Sequence, residues 1–77
     1  MKHIITLKLF ASIGRLTPEN ADAFPITPGT KVADLVRDLE IPPVEAKLIF
    51  INGRRVEQDA VLNDGDRVGI FPPVGGG

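Results

Sequence analysis

Residues 31–40, with the sequence KVADLVRDLE, form the one segment whose apolar residues follow a helical spacing. The apolar positions i, i+3, i+4 and i+7, which form one stripe of an amphipathic helix, are Val32, Leu35, Val36 and Leu39. Asp34 lies near the start, where the helix dipole favours a negative charge, and Thr30 is placed to act as the N-cap. Because the Pro-Pro pair at 42–43 prevents further helix, we predict a single helix over residues 31–40.

Two strands are predicted before this helix. Residues 2–10, KHIITLKLF, alternate as a half-buried strand does. The predicted core face holds His3, Ile5, Leu7 and Leu9, and the opposite face holds Ile4, Thr6, Lys8 and Phe10. Residues 14–22 contain Gly, Pro, Asn and Asp and are expected to form a loop. Residues 23–27 make a short strand, and Pro25 within it cannot donate a backbone hydrogen bond, so this strand should lie at a sheet edge.

Three further strands are predicted after the helix. Residues 48–51, LIFI, are continuously apolar and suit a central strand, and the following Asn52-Gly53 favours a type I′ hairpin turn. Residues 54–56 begin the return strand. Residues 67–71, RVGIF, form the last strand, with Val68 and Ile70 pointing inward. The order of elements indicates an α+β fold in which one helix covers one face of the sheet.

Composition excludes several classes of protein. The length of 77 residues allows one small domain. The absence of cysteine excludes disulfides, thiolate zinc sites, iron–sulfur clusters and a cysteine nucleophile, and the single histidine, His3, cannot form a multi-histidine metal site. The net charge of -1 does not favour nucleic-acid binding. Since no apolar run reaches the roughly 18 residues of a membrane span and no signal peptide is evident, we expect a cytoplasmic protein that does not bind membranes.

The chain is predicted to divide into a domain over residues 1–71 and an extended, flexible C-terminal tail over residues 72–77, PPVGGG. The two prolines favour an extended backbone, and glycines leave no side chains to widen it. Such a tail can reach roughly 20 Å into a narrow channel of another protein. Its terminal group is a carboxylate, which is ionised at pH 7 and must be activated, ordinarily as a mixed anhydride with AMP, before a nucleophile can attack it.

Residues 62–77, LNDGDRVGIFPPVGGG, resemble the C-terminus of the small subunits of molybdopterin synthase, which belong to the ubiquitin-like sulfur-carrier family. The ending typical of these proteins is Phe-Pro-Pro-Val, one variable residue and Gly-Gly. Gly75 takes the variable position, so Gly76 and Gly77 are the functional pair. The first strand, ending in Leu-Phe-Ala at 9–11, is also similar. The resemblance implies the β-grasp fold, a mixed sheet of four to five strands with one main helix on one face.

The resemblance also implies a sulfur carrier that is a cosubstrate rather than an enzyme and binds no cofactor. A ubiquitin-activating-like enzyme would consume ATP to adenylate the carboxylate of Gly77, and a sulfur donor would replace AMP to leave a thiocarboxylate. The large subunit of molybdopterin synthase would use that sulfur for the dithiolene of the molybdenum cofactor. The residues expected to thread into the partner are Pro72, Pro73, Val74, Gly75, Gly76 and Gly77.

A partner surface is expected at the base of the tail. Phe10 and Phe71 point away from the predicted core, and Ile4 lies on the same side of the first strand. Exposed apolar patches of this kind often mark partner surfaces. Arg55 takes a position that is usually apolar in the molybdopterin carriers, and we include it among the expected partner contacts. Acidic residues around the Asp64-Gly65 turn are explained by the turn itself.

Other functions share the same tail chemistry. A carrier of this kind could supply sulfur for thiamin, thiolated tRNA, cysteine or a tungsten cofactor. A ubiquitin-like modifier would instead join Gly77 to lysines of target proteins, and a noncovalent adaptor would not use the tail. The Pro-Pro-Val sequence before the glycines favours the molybdopterin type.

Overall fold

The computed structural model describes residues 2–73. This part of the chain contains five strands, one α-helix and three short 3-10 helices. The strands are β1 (His3–Leu9), β2 (Phe24–Ile26), β3 (Leu48–Ile51), β4 (Arg54–Val56) and β5 (Arg67–Phe71). The helix α1 spans Val32–Asp38, and the 3-10 helices span Ala11–Leu16, Ala21–Ala23 and Pro43–Glu45. The predicted α+β class, with a mixed sheet and one main helix, is confirmed. Within residues 2–73, no helix has the length and apolar character needed to cross a membrane.

The sheet has the strand order β2-β1-β5-β3-β4. β1 and β5 pair in parallel at its centre, from Thr6 opposite Arg67 to Leu9 opposite Ile70. The remaining pairs are antiparallel. β2 lies at the edge, as Pro25 predicts, and β3 has a neighbour on both sides. The N-terminal and C-terminal strands therefore end side by side.

One face of the sheet packs against α1 and the connecting segments. The buried residues of this core, drawn from nearly every element, are Ile5, Leu7, Ile13, Ala21, Ile26, Val32, Leu35, Val36, Ile41, Ala46, Ile49, Leu62, Val68 and Ile70. The alternation in β1 and β5 and the apolar stripe of α1 are confirmed, because the predicted apolar inward positions are buried or pack against this cluster. On the opposite face of the sheet, Ile4, Lys8 and Phe10 are exposed.

The ends of α1 differ from the prediction. Thr30 is not the N-cap: Lys31 holds that position, and the Thr30 hydroxyl instead donates to the Thr27 carbonyl at 2.6 Å. The helix ends at Asp38, before the two prolines, because Glu40 adopts a left-handed φ of 58°. The Ile41 N–H then donates to the Val36 carbonyl at 3.1 Å, a Schellman-type ending that satisfies a carbonyl left without a helical partner.

The predicted loop at 14–22 is also more regular than expected. Most of it lies in two 3-10 helices, Ala11–Leu16 and Ala21–Ala23. Ile13 in the first and Ala21 in the second are buried in the core. These two apolar side chains hold a segment rich in turn-forming residues against the sheet, a tertiary effect that local composition does not reveal.

The segment between β4 and β5 holds the start of α1 in place. The N–H groups of Val32 and Ala33 donate to the carbonyls of Ala60 and Gln58, both at 2.9 Å. The Leu62 N–H donates to the Thr30 carbonyl at 2.8 Å, and the Leu62 side chain is 0% exposed. Two of the N–H groups that any helix start leaves unpaired are thus satisfied by a segment without regular secondary structure.

We expect Leu62→Ala to lower the free energy of unfolding by about 2–5 kcal/mol, the usual cost of truncating a fully buried leucine. Val61→Ala is the matched control, because Val61 is the adjacent residue and is 48% exposed; its effect should be within about 0.5 kcal/mol. Urea unfolding followed by circular dichroism measures both. Equal effects of the two changes would contradict the assigned role of Leu62.

We also expect Asp34 to stabilise α1 in a pH-dependent way. The backbone N–H of Lys31 donates to its carboxylate at 3.0 Å, and this bond, followed by the nearby Arg37 charge, lowers the pKa of Asp34 below its ordinary value of 3.8. A lowered folded-state pKa gives stabilisation that is present above the unfolded-state pKa and lost as the pH falls through the folded-state value. The stability difference between the wild type and Asp34→Asn should therefore disappear at low pH.

Urea unfolding at several pH values between about 2 and 7 measures this difference around the ordinary Asp pKa. Asp38→Asn is the control, because it removes the same charge from the same helix, and Asp38 pairs with Arg37 rather than with the helix start. A difference between the wild type and Asp34→Asn that persists at the lowest pH would contradict the assignment.

Candidate functional site

Three phenylalanines cluster on the sheet face opposite α1. The rings of Phe10 and Phe71 stack in parallel, with centroids 4.1 Å apart and an interplanar angle of 1°. The ring of Phe50 meets Phe71 edge to face, with centroids 5.6 Å apart and an angle of 82°. Phe10 remains 38% exposed. Aromatic rings left this accessible are typical of binding surfaces.

These rings border an open hollow of about 310 Å³. The residues that line the hollow are Lys8, Phe10, Phe50, Gly53, Arg67, Val68, Gly69 and Phe71. We call the hollow and these residues the docking face. The lining is mainly apolar at the centre, with the two cations Lys8 and Arg67 among its residues. The hollow therefore suits an apolar side chain of a partner.

Strand register explains why a hollow exists in the middle of the sheet. Gly69 of β5 lies between Lys8 of β1 and Phe50 of β3. Because it has no side chain, the floor of the hollow is backbone. A Cβ atom added there would lie 3.5 Å from Cε2 of Phe10, an ordinary contact, whereas a longer side chain would occupy the space that the rings surround.

The wall of the hollow at the β3–β4 turn is held by a hydrogen-bond network. Asn52 and Gly53 both have positive φ, 53° and 84°, as the predicted type I′ turn requires. The Asn52 side chain donates to the buried Asp66 carboxylate at 2.9 Å and accepts from the Arg67 N–H at 2.9 Å. The Asn63 N–H donates to the same carboxylate at 2.8 Å. The network joins the hairpin turn to the start of β5.

The acidic residues of this region act in the fold. Asp66 belongs to the network just described, and the Ile4 N–H donates to the Asp64 carboxylate at 2.7 Å. Among residues 2–73, no group of three or more His, Cys, Asp or Glu side chains is arranged to hold a metal ion. His3, expected to be packed, is half-buried. The carboxylates thus serve the turn, as the sequence indicates.

The rings of Phe10 and Phe71 lie together, as predicted. Phe50 belongs to the same cluster, although the sequence pattern did not indicate it. The continuous apolar run of β3 did not show which side chains point outward. In the structure Ile49 is 3% exposed, so its neighbour Phe50 lies on the opposite face, which the uniform apolar run did not reveal. Whether these residues contact a partner remains a prediction.

Ile4 and Arg55 have different places from those expected. Ile4 is exposed on the same sheet face, but it lies six residues before Phe10, about 20 Å along the strand, and does not line the hollow. Ile4 therefore lies outside the hollow formed beside Phe10 and Phe71, and its contact with a partner stays a prediction. Arg55 lies directly opposite Phe50 in the β3–β4 pair, so it borders the docking face from β4.

The tail begins at the edge of this face. The Phe71 carbonyl accepts a hydrogen bond from the Lys47 N–H at 3.0 Å, so Phe71 is still held by the sheet. Pro72 is buried and Pro73 is exposed, and the division into a domain over residues 1–71 and an extended tail over residues 72–77 stays a prediction. Val74, Gly75, Gly76 and Gly77 lie outside the described residues.

Comparison with known proteins identifies relatives along almost the whole chain. Residues 7–77 match the ThiS family. A Pyrococcus furiosus protein described as molybdopterin converting factor subunit 1 is 32% identical, with a TM-score of 0.66 over 94% of this chain and 99% of that chain. Small archaeal modifier protein 1 of Methanosarcina acetivorans is 26% identical, with a TM-score of 0.66 over 100% and 99%.

The thiamine biosynthesis protein ThiS from Geobacter metallireducens, 22% identical with a TM-score of 0.63 over 96% of this chain and 99% of that chain, shows the likeness of fold alone. No protein of curated function matches significantly. The expected ubiquitin-like β-grasp fold is confirmed by these neighbours. Carriers of this family are small substrate proteins rather than enzymes. The chain belongs to the ThiS family of ubiquitin-like sulfur carriers.

Proposed function

We propose that this carrier delivers sulfur for molybdopterin synthesis, as the small subunit of molybdopterin synthase. The observation that supports this most directly is the place where β5 ends. Phe71 stacks in the docking face, and the sequence Pro-Pro-Val-Gly-Gly-Gly follows it immediately. The 32% identity to a protein described as molybdopterin converting factor subunit 1 agrees with this assignment.

The proposed chemistry takes place on the Gly77 carboxylate. One carboxylate oxygen attacks the α-phosphorus of ATP, pyrophosphate leaves, and a mixed anhydride with AMP forms. A sulfide donor then attacks the carbonyl carbon, AMP departs with that oxygen, and a thiocarboxylate remains. No residue of the carrier needs to act as an acid or base, because the adenylating enzyme, which family membership implies as a partner, supplies the catalytic groups.

The domain contributes affinity and position in this scheme. The docking face binds the partner next to the point where the tail starts, which limits where the terminal carboxylate can lie. Holding a reacting group in place in this way removes much of the entropic cost of the reaction. The same face and tail would serve in turn the adenylating enzyme and the large synthase subunit, so the carrier must leave one before it binds the other.

A protein-modifier function is the second candidate, because small archaeal modifier protein 1 is 26% identical over the whole of this chain. A modifier would form an amide between Gly77 and a lysine of a target. High-mass conjugates in lysates of cells that express a tagged chain would support that function, and they should be absent for a carrier. Thiamin, tRNA and tungsten pathways differ from the first proposal only in the protein that accepts the sulfur.

The proposed function predicts that activation with ATP, the adenylating enzyme and sulfide raises the intact mass by roughly 16 Da as sulfur replaces one oxygen of the ionised carboxylate. Deletion of Gly77, or Gly76→Val, should abolish this change. Deletion retracts the terminal carboxylate by about 3.3 Å, and misplacement by about 1 Å can cost 100-fold at a reacting centre. Intact-protein mass spectrometry after the reaction provides the measurement.

Circular-dichroism melts of both variants are the control for folding and should match the wild type. Addition of the large synthase subunit and its pterin precursor should return the mass of the loaded wild type to its original value. Normal sulfur loading of both tail variants would contradict the threaded-tail mechanism. Loading without transfer to the large subunit would contradict the molybdopterin assignment and leave the carrier function in place.

The docking face predicts that Phe71→Ala weakens binding to the adenylating enzyme by about 2 kcal/mol or more, the typical effect of losing an aromatic anchor at an interface. Its effect on the free energy of unfolding should be smaller. Aromatic pairs contribute about 0.5–1.5 kcal/mol beyond the area they bury, and the half-buried ring adds only part of the burial energy of a core phenylalanine. Calorimetric titration and thermal melts on the same variant separate the two effects.

Phe24→Ala is the matched control, because Phe24 is a half-buried phenylalanine of the edge strand that packs against the core and does not line the hollow. It should lower the melting temperature and leave affinity unchanged. An unchanged affinity of Phe71→Ala for the adenylating enzyme would contradict the proposed contact of Phe71 with this partner.

A further inference from the structure

The two charged side chains that line the hollow of the docking face are both cations. Lys8 and Arg67 line the hollow. Arg55 lies opposite Phe50 across the β3–β4 pair, within the distance at which cross-strand side chains interact. The three cations come from three different strands, β1, β5 and β4, so only the folded sheet brings them around one hollow.

This face contrasts with the rest of the molecule. The chain has ten acidic residues and a net charge of -1, yet no acidic residue occupies an outward position on β1, β3, β4 or β5. The ion pairs formed within residues 2–73 lie elsewhere, between Arg15 and Glu45 and between Arg37 and its two neighbouring aspartates. In the described part of the chain, no carboxylate pairs with the cations of the docking face.

We infer that the docking face binds a surface of the adenylating enzyme in which a protruding apolar side chain is ringed by carboxylates, and that Arg55 is a specificity-determining residue of this contact. The inference rests on the proposed function, which requires that enzyme as a partner. Covering the hollow takes water away from nearby cations, a loss that is offset only where the partner supplies opposite charges. Complementary charges at the rim also speed the encounter and suppress wrong partners.

Two other occupants fit less well. A second copy that docked through the same face would bring cations against cations, and like charges across an interface are unfavourable. Single-stranded nucleic acid could stack on exposed rings, but the negative net charge of the chain opposes binding of a polyanion. An apolar side chain surrounded by carboxylates satisfies both the aromatic hollow and its charged rim.

The hairpin offers a matched pair of variants for the test. Arg54 and Arg55 are adjacent and both exposed, but Arg54 lies opposite Ile51 and Arg55 opposite Phe50, so the two arginines belong to opposite faces of β4. Arg55→Glu and Arg54→Glu change the net charge of the chain equally. Only the first reverses a charge beside the docking face.

Dissociation constants for the adenylating enzyme, measured without ATP by calorimetric titration, should rise about tenfold for Arg55→Glu and less than about twofold for Arg54→Glu at low salt. Arg55→Ala should give an intermediate increase of about two- to fivefold, as expected for one exposed pair. All differences should shrink as NaCl is raised from about 0.1 M to about 1 M, because the Debye length falls from about 10 Å to about 3 Å. Thermal melts check that each variant is folded.

The binding measurement and the mass change upon activation separate this inference from the proposed function. Normal formation of the thiocarboxylate together with affinities that respond neither to salt nor to Arg55→Glu would overturn the acidic partner surface and leave the function standing. The predicted dependence on salt and on Arg55, without thiocarboxylate formation, would support the docking contact and reject the function. Equal effects of the Arg54 and Arg55 variants would overturn the role assigned to Arg55.

A nucleic-acid arm completes the test. Binding of a fluorescent, mixed-sequence single-stranded RNA is measured at the same salt concentrations. Weak or undetectable binding of this RNA supports a protein partner. An affinity for RNA equal to or greater than that for the enzyme, weakened by Arg55→Glu, would overturn the assignment of this face to an acidic protein surface.

Discussion

The parallel pairing of β1 with β5 is the constraint on which the rest of the structure depends. Parallel neighbours cannot be joined by a tight turn, so the chain between residues 10 and 66 must return to the opposite end of the sheet before β5 can begin. That intervening chain supplies both α1, which covers the core face, and the β3–β4 hairpin, which extends the sheet beyond β5. The pairing also places Phe10 against Phe71. The docking face is therefore a direct consequence of the topology.

A small domain that leaves three aromatic rings beside an open hollow gives up burial that would otherwise stabilise it. The fold compensates with a core built from many separate segments, including Leu62 and Ile13, which belong to no strand and no α-helix. The Asn52–Asp66 hydrogen bond holds the wall of the hollow from behind. Most of the buried core thus lies on one side of the sheet and the proposed docking face on the other.

The local elements could be predicted because their signals are short in range. Alternation fixed the faces of β1 and β5, helical spacing identified α1, and the Asn52-Gly53 pair identified its turn, whose positive φ values few other residues adopt easily. Errors occurred where a distant contact overrides local preference. The predicted N-cap Thr30 instead receives the Leu62 N–H at its carbonyl, and Lys31 is the N-cap. The buried Ile13 orders a stretch whose composition indicates a loop.

The sequence by itself determined the class of the fold, the edge position of the strand with Pro25, and the chemistry available to a terminal carboxylate after a glycine run, because each depends on residue type or on near neighbours. Only the tertiary structure decided which residues share the docking face. Strand register joins Phe50 to Phe10 and Phe71 and places Arg55, rather than Arg54, on the same face as Phe50. Register depends on pairing between segments far apart in the chain, and a shift of one residue would exchange the two faces.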